Sequence, residues 1–236
     1  MMRGGCCAVV LAWALACAPA WSMSPLAAGD AEDPPPQPAA KPATKVWYTQ
    51  FGADVLAAVD GVLLGKVVEV TPLRGTDVVR VAILEWRSGE RPRTLTGEAL
   101  EVTLLATPDD FFVGNEQLLF LKRFENGPRF SVHNRIAKSD PDWDAKLACL
   151  DHNLALQKIE RDEDRRREVR KRIYDDLESR TNWTRWHSYQ ELAWVKKNHP
   201  TLVTYDDRED LKKLAAVSED VKLRGAVLEL LKDWGK

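Results

Sequence analysis

The sequence predicts an α+β protein: a small five-stranded OB-like β-barrel followed by an α-helical region. Three observations predict it. Between residues 62 and 132, five short runs of β-branched and apolar residues alternate with turn signals. After Ser139 the apolar period changes from two to alternating threes and fours. Cys149 is the only cysteine beyond residue 17, so no internal disulfide can staple the folded part. A chain of about 190 residues is long enough to stand on packing alone.

The chain opens on an export pattern. Arg3 supplies a positive start, residues 6–18 form an apolar run, and Ala18-Pro19-Ala20 offers a small-residue cleavage site. A permanent membrane helix needs about 20 apolar residues, so this run is too short to be one. Residues 1–20 therefore read as a signal peptide, and the mature protein is expected to be periplasmic or secreted. Ala14-Leu15-Ala16-Cys17 resembles the lipobox of bacterial lipoproteins, which implies Cys17 as a lipidation site and a lipid anchor on the envelope. Cleavage after Ala20 would instead release the chain. Residues 21–45, with Pro34-Pro35-Pro36-Gln37-Pro38, have the Pro/Ala-rich composition of a disordered tether.

Residues 46–138 read as the β-domain. A short helix is expected over 48–58, where Phe51, Val55 and Val59 recur at helical spacing. Strands are expected over 62–70, 78–86, 100–105, 117–122 and 129–132. Turn residues separate them at 72–75, 89–92, 108–110 and 125–128. Val79, Val81 and Ile83 alternate with Arg80, so one face should point inward. Leu118-Leu119-Phe120-Leu121 is apolar on both faces, as a central or helix-covered strand would be.

Val62-Leu63-Leu64-Gly65-Lys66-Val67-Val68-Glu69-Val70 resembles the first strand of the OB-fold modules grouped with netrin C-terminal and metalloprotease-inhibitor domains. Ile83-Leu84-Glu85-Trp86-Arg87-Ser88-Gly89 is similar to that group's second strand. Phe112-Val113-Gly114-Asn115-Glu116-Gln117 is similar to its Gly-x-Glu strand entry. The resemblance spans about residues 60–135 and implies an OB barrel of the kind found in exported bacterial proteins. It also implies protease inhibition as one reading of function, although the inhibitors' disulfide cysteines are absent here.

Residues 139–236 read as helical. Asp140 and Pro141 suit a helix start, and Trp143, Leu147, Leu150 and Leu154 then share one face. Val169, Ile173 and Leu177 form a second stripe. Residues 160–172 carry seven basic and five acidic residues, a solvated helix face with mixed ion pairs. Ser188 and Glu191 are spaced as a capping box for a helix ending before Pro200. Thr204 should start a helix with Leu211, Leu214 and Val217 inward. Ser218 should start the last, with Leu223, Val227, Leu230 and Trp234 on one face. The final pair resembles a HEAT-like helical hairpin.

Net charge is −2, so nothing steers the whole surface towards polyanions, and no nucleic-acid partner is expected. A nucleophile elbow, a phosphate loop, a zinc-binding His pair and a dinucleotide turn are all absent from the sequence. No catalytic residue, cofactor or metal is therefore assigned. The candidate binding cluster is Trp183, Trp186, His187, Tyr189 and Trp194, aromatics that can stack sugars or grip a peptide. The favoured reading is an exported, non-enzymatic binding or scaffold protein with a protein partner in the envelope or extracellular space. The rival is an extracellular hydrolase or binder that holds a cell-wall or other polymer on residues 183–194.

Overall fold

The computed structural model describes residues 46–89, 91, 101–107, 110–124, 130–232 and 234. The chain divides into two units, 1–43 and 44–236. All described residues lie in the second, and the signal, Cys17, the tether and the 125–128 turn lie outside them.

The α+β architecture is as the sequence predicts. A short helix α1 (Gln50–Asp54) and a 3₁₀ turn (Leu56–Ala58) precede five strands: β1 (Gly61–Leu73), β2 (Thr76–Gly89), β3 (Glu101–Ala106), β4 (Glu116–Arg123) and β5 (Phe130–Ala137). They close a barrel in the order β1-β2-β3-β5-β4. Four pairings are antiparallel and β3–β5 is parallel, with Leu104 opposite Phe130. β1 closes the barrel because it is long and coiled. Register shifts after Val62, Leu64 and Val67 bend it so that it pairs with β2 and β4. At Gly65 an added Cβ would stand 2.3 Å from the Val81 side chain, so only glycine fits that bend. Arg80 points outward, as expected, and bridges Glu69 on β1 and Glu101 on β3 at 2.7 and 2.8 Å.

Five helices follow: α2 (Trp143–Lys158), α3 (Asp162–Leu177), α4 (Asn182–Asn198), α5 (Tyr205–Val217) and α6 (Val221–Lys232). β4 joins them to the barrel. Leu119 and Leu121 fill the barrel interior with Leu63, Val67, Val79 and Phe130. Leu118 and Phe120 face the other way, onto Leu56 and the α2 stripe of Trp143, Leu147, Leu150 and Leu154. A separate core joins α3 to α6, with Val169, Ile173, Leu192, Leu211 and Val227 at its centre.

Four local expectations are corrected. α2 starts at Trp143 rather than at Pro141, with Asp142 as its N-cap residue. Ser188 does not start a helix: it lies in mid-α4, and its hydroxyl donates to the Ile173 carbonyl at 2.9 Å. α6 starts at Val221 rather than after Ser218, because the Asp220 carboxylate accepts from Lys222 N and Leu223 N. Val217 is 77% exposed, since α5 ends there and the turn lifts it off the core. Thr204 caps α5 as expected, in a reciprocal box with Asp207.

Candidate functional site

α4 carries all five residues of the candidate cluster, and the structure sends them two ways. Trp186, Tyr189 and Trp194 pack half-buried against the helical core, with the Trp186 and Tyr189 rings edge to face at 5.8 Å. Trp183 and His187 lie towards α2. Their rings stack at 4.6 Å and 10°, and the Lys146 ammonium sits 5.9 Å from the Trp183 ring. The five side chains are each half-buried, so together they present no open aromatic face.

His187 belongs to a polar network that sequence spacing did not reveal. Cys149 Sγ and Glu191 Oε1 lie 3.2 and 3.5 Å from His187 Nε2. Either tautomer finds a partner: Nε2–H donates to the carboxylate, or bare Nε2 accepts the thiol proton. Asn153 Nδ2 donates to the Cys149 carbonyl at 2.9 Å, and the Thr49 hydroxyl donates to Asn153 Oδ1. Glu191 also accepts from Gln50 N and Phe51 N, so a carboxylate from α4 caps the N-terminus of α1. A thiol, an imidazole and a carboxylate thus come together from residues 38 and 4 positions apart.

The electrostatics of this cluster decide its chemistry. Burial pushes the Cys149 thiol up to about 12, and the Glu191 and Asp176 charges add to it. Burial holds His187 down at about 4, helped by the Arg172 charge. His152 beside it is held at about 4 by burial, Arg172 and Lys171. Burial also raises the Glu191 carboxyl, against the pull of the two backbone N–H groups. A reactive cysteine needs a thiolate and an open approach. Cys149 has neither: the thiol is neutral, and the cavity beside it is about 20 Å³. With the imidazole neutral, the contact between His187 and Glu191 is polar and not an ion pair. The network joins α1, α2 and α4 and has the chemistry of structural support. Among the described residues no three His, Cys, Asp or Glu side chains are grouped to hold a metal ion.

An open concavity lies elsewhere, where α3 and α4 meet the α5–α6 pair. It measures about 560 Å³. Leu177, Leu211, Leu214, Ala215, Leu223 and Val227 give it an apolar lining, and Arg180, Arg185, Glu178 and Glu219 add charge. Arg185 is held in place: Nη1 donates to the Ser179 and Arg180 carbonyls at 2.8 and 3.0 Å. Arg180 and Glu219 are exposed and form no ion pair among the described residues. The apolar spacing of α5 and α6 was legible in the sequence. The groove was not, because it depends on how the α5–α6 pair sits against the end of α3.

No family model matches the chain, and no curated protein matches it.

Proposed function

We propose that this chain is an exported, non-enzymatic binding protein of the cell envelope or extracellular space, which captures a protein partner in the groove between α3, α4 and the α5–α6 pair. The groove carries the reading. A groove edged by the half-buried Leu214 and the exposed Val217 over a buried apolar floor, and bordered by charges of both signs, has the chemistry of a protein-docking site. The neutral, enclosed Cys149–His187 pair supports a binding role over nucleophilic catalysis. The export pattern of residues 1–20 supports the location, with anchoring at Cys17 or release after Ala20 as its two forms. We infer also that the barrel is akin to the netrin C-terminal and metalloprotease-inhibitor OB modules, and that α5 and α6 form a HEAT-like hairpin. The strand order and the shared core of the two helices support this. Polymer binding through Trp183, Trp186, His187, Tyr189 and Trp194 has less support, since these side chains are half-buried and divided between two surroundings.

The test is cross-linked capture from the envelope fraction with the wild-type chain and a Leu214→Glu variant. Leu214 lies half-buried in the groove lining. A partner held by the wild type and lost from a folded Leu214→Glu variant is expected. Equal capture by both would remove the groove as the site.

A further inference from the structure

Another cavity lies apart from the groove, where the segment before α1 meets the end of α2 and the first half of α3. It measures about 330 Å³. That is near the lower end of the range of about 300–1,000 Å³ that small-molecule sites span. Leu156 and Val169 are buried at its floor, and Val46 and Trp47 stand at its more open side. Arg165 is the one charged residue in this lining.

Arg165 is only 8% exposed. Nη1 donates to the Val46 carbonyl at 3.3 Å, and Nη2 donates to Asp162 Oδ1 at 2.8 Å. Nε is enclosed and has no partner among the described residues. A buried donor without an acceptor is a net cost to the fold. Asp162 does not neutralise the site either. It also accepts from the Tyr48 hydroxyl at 2.7 Å and from Arg166 Nε at 2.9 Å. Two guanidinium groups against one carboxylate leave an excess of positive charge beside the apolar wall.

We propose that this cavity binds a small monocarboxylate with an apolar body, its chain against Trp47, Leu156 and Val169 and its carboxylate on the Arg165 side. An uncharged molecule of the same shape would cover the apolar wall and leave the guanidinium uncompensated. A cation would add to the charge already there. The proposal does not depend on the groove reading, since the two sites share no lining residue.

Titration calorimetry of the purified full-length protein tests it, with octanoate as the probe and octanol as its uncharged match. Octanoate should bind about tenfold or more tighter than octanol. Arg165→Met keeps an unbranched apolar stem and removes the charge, so it should abolish that preference. Bromo-octanoate should quench tryptophan fluorescence through Trp47, and the quenching should shrink in Trp47→Phe. Absence of octanoate binding overturns the proposal. So does octanol that binds as tightly, or a preference that survives in Arg165→Met. Should Arg165→Met fail to fold, the Trp47 comparison decides: quenching equal in the wild type and Trp47→Phe places the binding elsewhere and overturns the proposal.

Discussion

Cys149 and His187 carry the most specific chemistry at the scale of single residues. A neutral, enclosed thiol should resist alkylation in the folded protein and react only on unfolding. Peptide mass mapping of Cys149 after iodoacetamide treatment reads this directly, and rapid modification of the native protein would contradict it. The histidines predict acid sensitivity. His152 and His187 have folded values near 4 against an ordinary 6.5. A depressed folded value means that the unfolded chain binds protons first. The stability they contribute is therefore present above pH 6.5 and is lost as pH falls towards 4. The raised carboxyls of Glu191 and Asp176 act in the opposite sense. The comparison is thus between wild type and His187→Gln, whose denaturation midpoint should fall less steeply over that window. Identical slopes would show that His187 does not titrate with unfolding. Trp183, Trp186, His187, Tyr189 and Trp194 were legible as an unusual cluster. Their division between two surroundings was not, because that depends on which neighbour each side of α4 meets.

At the scale of elements, β1 and α1 show how local pattern and tertiary context share control. Gly65 lies where β1 coils against Val81, and Gly65→Ala should destabilise the barrel by about 1–3 kcal/mol through overpacking. Urea denaturation measures it, and an unchanged midpoint would mean that β1 relaxes freely. α1 has only five residues; Thr49 caps it through Gly52 N, and Glu191 on α4 accepts from the two N–H groups before that one. Glu191→Ala should cost about 1–3 kcal/mol by leaving two part-buried N–H groups without their acceptor. Hydrogen exchange at Gln50 and Phe51 should then speed up more than exchange in β1. Uniform acceleration would point to global loss instead. The spacing of Ser188 and Glu191 matched a capping box, yet each residue bonds a different distant element. Spacing shows what two side chains can reach along one helix; it does not show what a neighbouring helix offers first.

Across the whole molecule, the barrel and the helices share the surface of β4. Leu150 on α2 is fully buried against Leu118 and Phe120. Leu150→Ala should cost about 2–5 kcal/mol and lower the barrel and helix transitions together. Far-ultraviolet circular dichroism and tryptophan fluorescence should report one coincident unfolding curve. Two separated curves would show that the halves unfold independently.

The sequence alone determined the order of the architecture. Alternation in Val79, Arg80 and Val81 predicted a strand with one buried face, and Leu118-Leu119-Phe120-Leu121 predicted a strand buried on both. The stripe from Trp143 to Leu154 predicted one apolar helix face, and the structure sets that face on β4. These are periodic signals, and period reports which faces leave water. Tertiary structure alone decided the closure of the barrel through β3 and β5, the meeting of Cys149 with His187, the Glu191 cap on α1 and the groove beside Leu214. Each joins groups whose approach depends on the angles between packed elements, and no spacing along the chain encodes those angles.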